Sequence, residues 1–130
     1  MKTRGLIFVI LLLAQLGLTT VAAQQRRSDA ILLKASVADQ SAKNPYAGKD
    51  EARLAGQKLF HRNCEECHGQ AGVGAIDAPS LQTQLVHSTA PGALFSFLKN
   101  GNLRQGMPSW SRLPDAQLWQ IVTYLDSIAR

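Results

Sequence analysis

The sequence predicts an all-α domain, and three observations predict it. Apolar residues return at three- and four-residue spacings in three separate segments, the period of a helix with one buried face. No segment alternates apolar and polar residues as a half-buried strand does. The two cysteines stand together in Cys64-Glu65-Glu66-Cys67-His68, directly after the first of these segments. Together these predict about three main helices, with loops wrapped around something held at that pentapeptide.

The first helix is expected from Asp50 to about Asn63. Leu54, Ala55, Leu59 and Phe60 supply its apolar face, and Asp50 and Glu51 suit the positive end of the helix dipole. The stretch from Gly69 to Gly74 holds three glycines but lacks the lysine and strand-to-helix setting of a phosphate loop, so it reads as a flexible turn. A second helix runs from about Pro91 to Asn100, with Leu94, Phe95, Phe97 and Leu98 as core; proline opens it and Gly101 ends it. The third begins near Pro114-Asp115 and places Leu118, Ile121, Val122 and Leu125 on one face.

Two thiols three positions apart, with a histidine directly after the second, are what c-type haem attachment requires. Each thiol adds across one vinyl group, and the histidine is delivered to the iron face. The competing uses of a Cys-x-x-Cys pair lack their context. A thioredoxin-like dithiol wants a βαβ unit and a zinc site wants two further ligands at similar spacing, whereas His61 and His87 form no second paired cluster. The pentapeptide thus predicts one covalently bound haem c at Cys64 and Cys67, with His68 as an iron ligand through Nε2. For the opposite face the sequence offers Met107, between Gly106 and Pro108, as second axial ligand; the alternatives are His87, His61, which sits too near Cys64 along a helix to reach that face easily, or an open position.

The N-terminus carries Lys2 and Arg4, an apolar run from Gly5 to Leu18, then Thr19-Thr20-Val21-Ala22-Ala23, the layout of a secretory signal peptide over residues 1–23. A retained membrane anchor is the alternative, since the stretch from Gly5 to Ala23 approaches the roughly 20 residues that span a bilayer. Residues 24–49 are mixed in composition, close on Asn44-Pro45-Tyr46-Ala47-Gly48, and read as an N-terminal tether; residues 50–130 are the folded domain. Export, to the periplasm or another extra-cytoplasmic compartment, agrees with the motif, because this haem is attached outside the cytoplasm. Without Lys2 and Arg4, 12 basic residues face 9 acidic ones, a balance of +3. That charge, without a dense basic stripe, excludes nucleic acid as a partner class and allows an acidic docking partner. A domain of this size gains only a few kcal/mol from its own core, so without its cofactor it is expected to be molten or unfolded.

The chain resembles the class I monohaem cytochromes c, specifically the small bacterial domains found in cbb3-type oxidase subunits and quinoprotein dehydrogenase systems. The resemblance spans Asp50 to Arg130 and rests on Gly56-Gln57-Lys58-Leu59-Phe60, Cys64 to His68, Ala78-Pro79-Ser80-Leu81, Gly106-Met107-Pro108-Ser109-Trp110 and Val122-Thr123-Tyr124-Leu125, in that order. It implies a close crossing of the first and last helices at Gly56 and Phe60, opposed by Ile121 and Tyr124. It also implies that the Pro79 carbonyl receives the second ring proton of His68. Trp110 would sit near a haem propionate or in the core, while Lys99, Arg104 and Arg112 would ring the exposed haem edge or simply be solvated.

The function expected on these grounds is one-electron transfer between redox proteins, with iron cycling between Fe(III) and Fe(II) and no substrate converted. The alternatives are a dedicated electron-accepting partner of a periplasmic dehydrogenase, such as a quinoprotein, and a subunit of a terminal oxidase. A haem sensor or peroxidase would need an open axial position, and a thiol oxidoreductase would need Cys64 and Cys67 as a free dithiol.

Overall fold

The computed structural model describes residues 41–76 and 78–129. The expected signal segment and most of the expected tether lie outside the described residues. Within them the fold is helical: α1 spans Asp50–Asn63, α2 Glu65–His68, α3 Gln84–Ser88, α4 Pro91–Asn100 and α5 Asp115–Ile128. Two 3-10 turns, Gln70–Gly72 and Leu103–Gln105, sit in the loops. No strand occurs among the described residues, only the isolated bridges Ala75 to Ala78 and Asn102 to Met107. No helix among them is long and apolar enough to cross a membrane.

The three long helices are the three that the apolar periodicity predicts, and α5 is their hub. Ile121 through Leu125 are buried without a break, a pattern that a helix shows only when it is covered on several sides. It packs chiefly against α1, and also against α4 and α3. The α1 surface against α5 holds the expected Gly56 and Phe60 but not Leu54. Its buried residues are Ala52, Gly56 and Phe60, one turn apart, whereas Leu54 is 48% exposed. At Gly56 the two backbones approach too closely to admit a side chain between them, and the large buried residue of the helix, Phe60, packs one turn further on.

Gly56 marks that approach. A Cβ there would stand 2.0 Å from the carbonyl oxygen of Gln120 and 3.0 Å from Cβ of Tyr124. The residues opposing the glycine are therefore Gln120 and Tyr124, with Gln120 in place of the expected Ile121. One turn on, the Phe60 and Tyr124 rings meet at 5.3 Å between centroids with a 52° tilt, a favourable arrangement for aromatic pairs. On the α4 side the Phe95 and Trp119 rings stack at 4.3 Å and 17°.

α3 has no counterpart in the sequence reading. Thr83 caps it by accepting from the Val86 amide at 3.3 Å, and Val86 is buried against the core. Before α1, the Asn44 amide group donates to Thr123 Oγ1 at 2.9 Å and to the Trp119 carbonyl at 3.3 Å. The chain is thus pinned to α5 six residues ahead of α1.

Gly56→Ala should be strongly destabilising, by about 3 kcal/mol, the upper part of the overpacking range, because a backbone carbonyl cannot rotate out of the way as a side chain can. Thermal unfolding followed by circular dichroism measures this. A melting temperature equal to that of the parent would contradict the close crossing.

Candidate haem site

α1 delivers the pentapeptide. The Cys64 amide donates to the Phe60 carbonyl at 2.8 Å, ending α1, and the amides of Cys67 and His68 return to the Cys64 carbonyl at 3.2 and 2.9 Å, opening α2. Both cysteines are free thiols. Cys64 packs against the core cluster and Cys67 is exposed, so the two sulfurs present themselves at different depths. Burial, and then the charge of Cys67, push the Cys64 thiol up to about 11. Reactive dithiols depend on the opposite shift, a lowered thiol pKa.

His68 Nδ1 donates to the Pro79 carbonyl at 3.3 Å. A carbonyl only accepts, so the ring proton of the neutral imidazole sits on Nδ1 and the lone pair on Nε2. Burial lowers the His68 pKa, partly offset by that hydrogen bond, and so favours the neutral, lone-pair-bearing ring.

The loop from Gly69 to Leu81 holds Pro79 in place, and it is a built structure, not the flexible turn expected from its glycines. The Gly74 amide donates to the His68 carbonyl at 2.7 Å, Leu81 to Gly72 at 2.8 Å and Ala75 to Ala78 at 3.0 Å. Gly74 has φ of +95°, and a Cβ on it would stand 2.8 Å from the Ser80 nitrogen. Ala71 also adopts positive φ, at +53°.

Met107 stands on a second loop, between α4 and α5. The chain leaves α4 at Gly101, makes one 3-10 turn and returns, so that the Asn102 and Met107 backbones exchange hydrogen bonds of 2.8 and 3.1 Å. Gly101 is more than a helix terminator. Its φ is +68°, and a Cβ there would meet the Pro108 carbonyl carbon and oxygen at 2.5 Å. The Met107 side chain is partly buried and packs against the same core cluster as Cys64.

The remaining histidines lie on surface flanks. His61 pairs with Glu65, and His87 lies 3.8 Å from the Asp126 carboxylate of α5. Of the three basic residues expected near the site, Lys99 is bound to Asp115 at 2.9 Å, Arg112 lies 4.2 Å over the Trp110 ring, and Arg104 is exposed on the Met107 loop. Trp110 itself is buried in the core cluster.

These residues fit a covalently held porphyrin in three respects. Two reduced thiols stand at the right spacing, an imidazole presents an unprotonated Nε2, and a thioether stands on a separate, tied loop. Val73, Ile76 and Leu103, on the same two loops, are 57%, 103% and 78% exposed. That is apolar surface the polypeptide alone does not bury, on the segments where a flat apolar group would lie. Asn102, Gly74 and the close-contact role of Gly101 were not visible in the sequence; the Asn-Gly neighbourhood signals a turn but not which segment the turn packs against.

An α1–α5 crossing with a Cys-x-x-Cys-His turn at its end defines a helical domain of the class I cytochrome c type, an electron-transfer fold. Residues 51–125 match the family model described as cytochrome c oxidase, cbb3-type, subunit III, and the chain belongs to that family. It is similar to the cbb3-type cytochrome c oxidase subunit CcoP of Rhodobacter capsulatus, at 34% identity over 92 residues, 61% of this chain and 30% of that subunit. The chain thus matches less than a third of that relative's length. Among solved structures it is similar to cytochrome CL from Methylophaga aminisulfidivorans, with a TM-score of 0.60 and 26% identity over 68% of this chain and 61% of the other.

Gly74→Ala should displace Pro79-Ser80 and lengthen the bond that holds the His68 ring, at a stability cost of about 1–3 kcal/mol from strain at positive φ and the close Ser80 contact. Denaturant unfolding together with nitrogen NMR of the His68 ring measures both effects. Unchanged stability with an unchanged Nδ1-H signal would sink the assignment.

Proposed function

We propose that this domain carries one haem c, bound through thioethers to Cys64 and Cys67, with His68 Nε2 and the Met107 sulfur as axial ligands, and that it serves as an exported one-electron carrier between redox proteins. The observation that supports this most directly is the His68 ring held through Nδ1 to the Pro79 carbonyl, which leaves Nε2 as the basic atom. A ligating histidine characteristically spends its second ring nitrogen in this way, fixing the tautomer and raising ligand basicity. When bound, the haem supplies the Fe(III)/Fe(II) couple.

The polypeptide's part is to hold and to exclude. Cys64 and Cys67 fix the plate to the end of α1, and His68 keeps its proton on Nδ1 throughout. Met107 adds a soft, neutral sulfur that favours the reduced metal and raises the potential. With both axial positions filled from the chain, none is left for oxygen, peroxide or another substrate, which favours carrier over enzyme. The raised Cys64 pKa argues against the thiol oxidoreductase reading.

A second reading is that the domain serves as an electron-accepting subunit or dedicated partner of a terminal oxidase. It is supported by the similarity to CcoP, itself named as a subunit of such an oxidase.

The test is expression of the full chain with a c-type maturation system, followed by pyridine haemochrome spectroscopy and redox titration. A c-type spectrum with one haem per chain is expected; colourless protein of unaltered mass would overturn the proposal. Met107→Ala should keep the haem, lose the weak sulfur-to-iron charge-transfer band of the oxidised form, and lower the midpoint potential by a sizeable share of the roughly 0.8 V that axial ligands span. The Cys64→Ser, Cys67→Ser double variant should lose cooperative thermal unfolding, because so small a domain depends on the buried porphyrin for apolar surface. A sharp melt of the haem-free double variant would count against that dependence.

A further inference from the structure

We propose that Ser109 is a positioning residue for the Met107 sulfur, its hydroxyl tying the chain just beyond the methionine to the last turn of α4. The inference rests on Met107 being an axial ligand. Its basis is how the end of α4 is satisfied. The last carbonyls of a helix have no partner within it and must find one elsewhere. In α4 the Phe97 carbonyl receives the Gly101 amide at 2.8 Å, and the Leu98 carbonyl receives the amide of buried Trp110 at 3.1 Å. The Lys99 carbonyl receives the Ser109 hydroxyl at 2.7 Å. The returning leg of the Met107 loop is therefore itself the cap of α4.

Three of the ties on this loop are backbone to backbone: the exchanged pair between Asn102 and Met107, and the Trp110 amide. The Ser109 bond differs in depending on a side chain, and it is the shortest of the four. The hydroxyl is further oriented, since it accepts from the Ser111 amide at 3.3 Å and lies 3.0 Å from Ser111 Oγ. Pro108 joins it to Met107 and stands against Gly101, so the segment between sulfur and hydroxyl has little slack. Without the hydroxyl, the Lys99 carbonyl would turn to water, and Pro108 and Met107 would be released from the α4 end on one side. The sulfur would then be easier to displace while the helices stay packed.

The measurement is binding of added imidazole to the oxidised holoprotein, which competes directly with the Met107 sulfur. Ser109→Ala should raise the apparent imidazole affinity about fivefold to tenfold, the factor expected when one net intramolecular hydrogen bond is lost. Ser109→Thr, which keeps the hydroxyl, should stay within about twofold of the parent by the same reasoning. Ser109→Val set against Ser109→Thr gives the comparison at matched shape if the alanine variant accumulates poorly. Equal affinity in parent and Ser109→Ala, with tighter binding in Met107→Ala, would overturn the positioning role and leave the axial ligand intact. Equal tightening in the threonine and valine variants would overturn it too, assigning the effect to packing. If Met107→Ala binds imidazole no better than the parent, it is the axial assignment that fails.

Discussion

The rest of the structure depends on the contact between the α1 and α5 backbones at Gly56. Glycine costs about 1 kcal/mol against alanine in a helix interior, yet here any side chain would collide with the Gln120 carbonyl. What the contact gains is position. It sets the distance at which Phe60 meets Tyr124, and Phe60 is the residue whose carbonyl receives the Cys64 amide. The first thiol is thus referred to α5 through one helical turn. The far end of α5 bears on the same region, because Ile128 lies where a Cβ on Gly72 would come within 3.1 Å of it. Burial, then the charge of Glu65 from within the pentapeptide, raise the Tyr124 pKa, so the α1–α5 seam and the motif share one electrostatic environment.

The two candidate ligand residues are placed by one device used twice. In each loop the chain leaves a helix end, turns through glycines at positive φ, and returns by hydrogen bonds to the end it left. On the His68 side Gly74 returns to the His68 carbonyl itself. On the Met107 side Asn102 and Trp110 close the loop from before and after the methionine. Positive φ at Gly69, Gly74, Gly101 and Gly106 makes this possible without strain that a larger residue would carry.

The sequence made the three long helices legible because each has a periodic apolar face and a clear terminator, and the pentapeptide made the region of the site legible because its spacing is chemically restrictive. What it concealed has physical causes. Leu54 is apolar and at helical spacing, but a backbone-to-backbone crossing selects for absence of a side chain, which a hydrophobic count scores as a weakness. α3 has only Leu85 and Val86 among polar neighbours and is held by the Thr83 cap and by α5, so its stability is tertiary. The loops were misjudged for a related reason. Glycine signals conformational freedom in a sequence, but Gly69 to Gly74 uses that freedom to reach one closed arrangement.

That closure bears on what the domain is suited to do. A carrier must accept and release an electron with little rearrangement of the atoms around the metal, and a ligand residue on a slack loop would move each time. Here the imidazole is restrained at Nδ1 by Pro79, and the backbone on either side of the thioether is bonded to α4 or to its own loop. The charged residues nearby are also held at short range, Lys99 by the Asp115 carboxylate, Arg112 over the Trp110 ring and His61 beside Glu65. In the proposed role the polypeptide would thus offer its ligand residues on restrained backbone, the condition under which an added electron moves few atoms around it.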